Sequence, residues 1–152
     1  GYLNTVSALS ELPIFILSGR IIKRFGYFPV LTFVALAGAL RWFVLSLEPS
    51  FPILLANQLL HGITFALFMA AAVNLVFELS PEGLKTTGQT MFAVINGNLA
   101  VIAASNVGGW MVDTGGFPVL FSFATVLSLI GAAGFVVLSR TVKRNAMGQT
   151  GI

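Results

Sequence analysis

Short polar breaks divide this chain into five apolar runs, each close to or above the about 20 residues that carry a helix across a hydrocarbon core of about 30 Å. They are span one (about 1–18), span two (28–47), span three (52–79), span four (86–111) and span five (117–139). Lipid offers no partner to an open backbone N–H or C=O, so such runs are confined to helices. The expected fold is therefore all-α: a polytopic membrane protein with five transmembrane helices. Composition agrees, because 57% of the 152 residues are hydrophobic and 9% charged, against about 25% charged in a soluble domain. Zero cysteines and one histidine argue against a disulfide framework, a thiol nucleophile or a Cys- or His-rich metal site, and no cofactor motif stands out. The net charge of +3 does not point to nucleic acid, since the basic residues form short clusters between apolar runs instead of a patch on a polar face.

The breaks read as helix punctuation. Gly26 precedes span two and Glu48-Pro49-Ser50 follows it, Ser80-Pro81-Glu82 suggests a serine N-cap with proline at N1, and Asp113-Thr114-Gly115-Gly116 reads as a turn. Residues 140–152 form a polar tail. Arg20, Lys23, Arg24, Lys85, Arg140, Lys143 and Arg144 all fall on one side of an alternating topology, while the eighth basic residue, Arg41, lies within span two. By the enrichment of Lys and Arg in cytoplasmic loops, span one ends in the cytoplasm and so does the chain. The odd number of spans, the initial Gly1 and the lack of a basic flank before span one suggest a piece of a longer protein, residues 1–139 being a half-domain.

A charged side chain near the bilayer centre costs at least about 2.5–3.5 kcal/mol, so the residues that accept this cost are functional candidates. Glu11, Arg41 and His61 qualify. At about 1.5 Å per residue they lie about 12, 20 and 16 Å above the cytoplasmic face, in one layer near the midplane. Asn4, Ser7, Glu11 and Ser18 share a face of span one, and Asn57, His61 and Thr64 share a face of span three. Asn57, Ser7 and Thr64 alone are the kind of polar groups that glue a closed bundle together. A carboxylate, a guanidinium and an imidazole at one depth exceed what packing requires. In span four, Asn96, Ala100, Ala104 and Gly108 recur every four residues and allow close helix approach.

Gly19-Arg20-Ile21-Ile22-Lys23-Arg24-Phe25-Gly26 resembles the cytoplasmic loop signature of the major facilitator superfamily. Gly19, Arg24 and Gly26 match it, while Lys23 replaces its acidic residue. Arg41-Trp42, the run from Gln58 to Phe65, Pro81, Gly88-Gln89 and Gly108-Gly109 with Asp113 and Gly116 follow in an order similar to the C-terminal half of the lactose permease-like, phenylpropionate permease-like and nucleoside permease-like proton symporters. The resemblance covers nearly the whole chain and makes spans one to five helices eight to twelve, most of one six-helix half. It implies that Glu11, Arg41 and His61, with Asn57, Thr64 and Asn4 nearby, serve proton coupling and substrate contact, and that Gly19, Arg24 and Gly26 form a conformational loop motif. In the lactose permease-like pattern a carboxylate follows the histidine by one turn. Thr64 stands there in this chain, leaving Glu11 to carry any coupling in this half.

The expectation is secondary active transport of a small organic solute, with protons, across a bacterial inner membrane, without enzymatic activity. Its partners would be the solute, the proton, the lipid bilayer and the N-terminal half of the same chain. The alternative is a truncated or non-transporting membrane module that binds a partner. The topology is testable with an impermeant thiol reagent on single-cysteine variants of the full-length protein in intact cells. Glu48→Cys and Asp113→Cys should label from outside and Lys23→Cys and Arg144→Cys should not; external labelling of Lys23→Cys would invert the assignment.

Overall fold

The structure, a computed structural model, describes residues 2–149, with side-chain surroundings for Thr5 and residues 11–144. Every described element is helical: α1 (Tyr2–Phe25), α2 (Tyr27–Ser46), α3 (Phe51–Leu79), α4 (Lys85–Val94), a π-helical turn (Ile95–Leu99) and α5 (Ala100–Gln149). Three stretches are long and apolar enough to cross a membrane, namely Tyr27–Ser46, Phe51–Leu79 and Lys85–Arg144. Helix α1 carries Glu11, Ser18, Arg20, Lys23 and Arg24, which dilute its apolar character.

The 60 residues from Lys85 to Arg144 would reach about 90 Å as one rod, three hydrocarbon cores end to end. Gly116 prevents that with φ 76° and ψ −179°, a backbone region that costs an L side chain several-fold more than glycine. Pro118, lacking an N–H, sits in the first turn after the break. Residues 85–115 therefore run one way and 117–149 return, and the side chain of Leu120 lies against Gly108 across the turn, 3.4 Å from where a Cβ would stand.

Residue Gly26 alone joins α1 to α2. Its φ of 83° suits glycine, and its N–H donates to the Ile22 carbonyl at 2.7 Å, completing α1. The two helices then part: α1 packs along α3, while α2 packs along the descending limb of α5 and more lightly on α3. Small side chains allow the closest approaches, with Ala66 and Ala71 of α3 fully buried. The apolar core of Ile22, Val30, Leu31, Val34, Leu67, Ala71 and Ala72 sits where α1, α2 and α3 meet.

Three sequence readings are revised. Gly19 and Arg24 lie within α1, so of the loop motif only Gly26 is outside a helix. Ser80 ends α3 instead of starting the next helix: its hydroxyl donates to the Val76 carbonyl at 2.7 Å, and α4 begins at Lys85, after a turn through Gly83 at φ 86°. The tail expected from residue 140 continues α5 as helix to Gln149. A hydroxyl that satisfies a C-terminal carbonyl competes with one that caps an N-terminus, and the local sequence allows both.

The α3–α4 turn is tight where Gly88 meets Ser80, since a Cβ at Gly88 would collide with the Ser80 hydroxyl. Gly88→Ala should lower the thermal stability of the purified protein by on the order of 1–3 kcal/mol, the usual cost of overpacking. Adding Ser80→Ala should restore most of the loss. A double variant no better than Gly88→Ala would place the strain elsewhere.

Candidate functional site

Arg41 lies about 21 Å along α2 from its first residue and is 6% exposed. Its Nε donates to the backbone carbonyl of Asn57 on α3 at 3.3 Å, and its guanidinium carbon lies 5.3 Å from the Trp42 ring centroid. Trp42 in turn stacks on Phe121 of α5 at 5.8 Å, and Phe121 on Phe117 at 6.0 Å. This row of rings lines the end of the α2–α5 seam opposite Gly26, and the arginine stands at one end of the row.

Beside the rings, α2, α3 and α5 line an open cavity of about 250 Å³. Its polar wall is Arg41, His61, Thr64 and Ser128, and Phe65, Phe68 and Phe135 provide aromatic faces. The His61 ring tilts against Phe65 with centroids 5.9 Å apart. The Thr64 hydroxyl donates to the carbonyls of Leu60 (2.9 Å) and His61 (3.0 Å), which anchors it to its own helix and leaves acceptor lone pairs for a neighbour. Arg41 also borders a second recess of about 210 Å³ with Asn57, Ile53 and Leu60, nearer the N-terminal end of α3. The guanidinium thus stands between two cavities.

Glu11 stands on a neighbouring helix. It is half-buried on α1, which packs along α3, and His61 lies within range of the charges of both Glu11 and Arg41. His61 borders the cavity beside Arg41, on the helix along which α1, the carrier of Glu11, packs. The predicted Arg41, His61 and Thr64 come together, Asn57 joins them through its backbone carbonyl, and Glu11 joins through electrostatics. The side chain of Asn4 lies outside the described residues. Arg24 is exposed, with its guanidinium 5.5 Å from the Phe25 ring centroid.

Sequence reasoning missed Ser128 and the glycines that let the cavity form. A Cβ at Gly38 would stand 3.8 Å from Ser128 Oγ, and Gly131 lines the same wall. The signal was present as two small-residue clusters at helical spacing, Ala35-Gly38-Ala39 and Ser128-Gly131-Ala132, a pattern of close helix approach. The π-helical turn was also missed. It lies about 15 Å along the helix that starts at Lys85, and there Asn96 Nδ2 donates to Met69 Sδ at 3.8 Å. Among the described residues no three His, Cys, Asp or Glu side chains converge as a metal site requires.

The sequence profile of the MFS_1 like family matches residues 1–123. The chain is 22% identical over 134 residues to the maltose permease of Geobacillus stearothermophilus, an alignment covering 88% of this chain and 34% of that protein. It is 25% identical over 135 residues to the uncharacterized transporter YwbF of Bacillus subtilis (strain 168), covering 89% of this chain and 33% of that one. The chain thus spans about a third of the length of these curated relatives. No solved structure matches it. With most of its length inside the profile and its apolar helices folded into a polytopic membrane bundle, the chain belongs to the MFS_1 like family of the major facilitator superfamily.

Proposed function

We propose that this chain is the C-terminal half of a secondary active transporter that moves a small polar organic solute by alternating access, driven by protons. The observation that supports the reading is the cavity lined by Arg41, His61, Thr64 and Ser128, with Glu11 on α1, the helix packed along α3. Guanidinium and imidazole N–H groups suit the oxygens of a sugar, an organic acid or a nucleoside, and aromatic walls suit the apolar face of such a molecule. The names of the relatives, a maltose permease and a transporter, support transport as the activity and make maltose the first solute to try.

In this reading one half rocks against the other about a site at the midplane. Desolvation favours the protonated form of a carboxyl, and a nearby cation favours the ionised form. If rocking changes the spacing of Glu11 from the Arg41–His61 pair, Glu11 takes up a proton in one state and releases it in the other. Gly26, the single residue between α1 and α2, is the pivot available on the cytoplasmic side, and the C-terminus faces the cytoplasm of a bacterial inner membrane.

Two measurements test this on the full-length protein. Glu11→Gln preserves shape and polarity but holds no exchangeable carboxyl proton, so solute binding and downhill exchange should persist while accumulation driven by a proton gradient is lost. Accumulation equal to the parent's would assign coupling to the other half, and absence of uptake by the parent would favour a non-transporting module. Arg41→Lys keeps the charge but not the planar donor array or the stacking on Trp42, and it should weaken equilibrium solute binding about tenfold, or about 1.4 kcal/mol. Unchanged affinity would make the arginine a packing element only.

A further inference from the structure

We infer that the groove between α1 and α2, at the end where Gly26 joins them, binds an anionic phospholipid of the adjacent leaflet. The groove exists because the helices leave Gly26 for different partners, α1 toward α3 and α2 toward α5, so a wedge of space opens between them. It holds about 380 Å³ and is lined by Ile21, Phe25, Pro29, Val30, Phe33 and Leu67, with no polar side chain in its wall. Phe33 stands about 9 Å along α2 and Leu67 about 18 Å from the end of α3, which keeps the groove within roughly one leaflet of hydrocarbon. An acyl chain matches both its chemistry and its depth.

Charge at the mouth selects the headgroup. Arg20, Lys23 and Arg24 are all exposed, and the last two turns of α1 carry no acidic residue. Arg20 and Arg24 lie one helical turn apart on the same flank, and Arg24 sits with its guanidinium 5.5 Å from the ring centroid of Phe25, itself a groove wall. At this end of α2 the carboxylate of Glu78 accepts a hydrogen bond of 2.7 Å from the Tyr27 hydroxyl. Basic clusters beside helix grooves on the cytoplasmic side are the setting in which anionic headgroups bind, and paired guanidinium groups suit phosphate oxygens. The groove is distinct from the face expected to meet the solute pathway: Ile21 and Phe25 stand about 15 and 21 Å along α1 from Glu11, and the polar groups that mark the Arg41–His61 cavity are absent from its wall.

The test uses the purified full-length protein in mild detergent, exposed to equimolar dioleoyl phosphatidylglycerol and dioleoyl phosphatidylcholine and examined by native mass spectrometry. The parent should retain phosphatidylglycerol several-fold over phosphatidylcholine. The double variant Arg20→Gln/Arg24→Gln should lose that preference, and Pro29→Trp, which fills the exposed groove mouth and leaves both arginines, should retain less of both lipids. Glycerophosphoglycerol, the headgroup without acyl chains, should fail to displace the lipid. Equal retention of the two lipids by the parent, an undiminished preference in the double variant, or displacement by the free headgroup would each overturn the proposal. Retention is read without transport, so the outcome is independent of whether Glu11 couples protons.

Discussion

A bilayer gives an open peptide group nothing to bond to, and the architecture of this chain follows from that constraint. Helices run the length of each apolar stretch because only there is every N–H and C=O satisfied within the segment. Connections are then as short as chemistry allows: one residue at Gly26, and a reversal at Gly116 so abrupt that the two limbs of α5 meet without a loop between them. Glycine occupies both points because each holds a positive φ. The bundle is pinned at its turns and packs between them through alanine and glycine, since lipid supplies no hydrophobic drive to bring helices together and close contact has to provide the attraction.

What a sequence can carry about such a protein divides along the same line. Helix number, direction and depth depend on one dimension of the chain, its run lengths and its basic residues, and Glu11, Arg41 and His61 were visible because charge in a long apolar run is costly wherever the run packs. Which side of each helix meets which neighbour is a two-dimensional matter. Ser128 looked like an ordinary small residue of span five until α5 was laid on α2, opposite Gly38. Local chemistry misled in one case for a definable reason: Ser80 before Pro81 has the form of an N-cap, yet the hydroxyl bonds backward to Val76 and the following helix starts only at Lys85. The four intervening residues, with Gly83 in the left-handed region, make the reversal that Pro81 alone could not.

The π-helical turn at Ile95–Leu99 belongs with these cases. An extra residue inserted in a helical turn rotates everything beyond it and leaves carbonyls less regularly paired, which is why such turns collect at functional positions. Here the sequence is Ile-Asn-Gly-Asn-Leu, with glycine lowering the cost of the wider turn and Asn96 reaching the sulfur of Met69. The four-residue spacing from Asn96 to Gly108 assumed a continuous α-helix. The wider turn rotates Asn96 relative to the residues beyond it; of those, Gly108 is buried, against Leu120, while Ala100 and Ala104 are exposed.

The placement of Arg41 shows how uncharged groups can help to hold a guanidinium at this depth. Insertion costs about 2.5–3.5 kcal/mol. A charge-assisted hydrogen bond returns about 1.5–3 kcal/mol, reduced at the 3.3 Å found to the Asn57 carbonyl, and a desolvated cation–π contact such as the one with Trp42 returns about 0.5–2 kcal/mol. The sums meet within about a kcal/mol or two, so a backbone carbonyl and an indole, neither of which titrates, offset much of the cost of seating the guanidinium. A cation anchored by groups that never change charge presents a constant field to whatever enters the cavity. A change of charge at a neighbouring carboxyl or imidazole would then leave intact the contact that joins α2 to α3, which separates the part of the cavity wall that holds from the part that can switch.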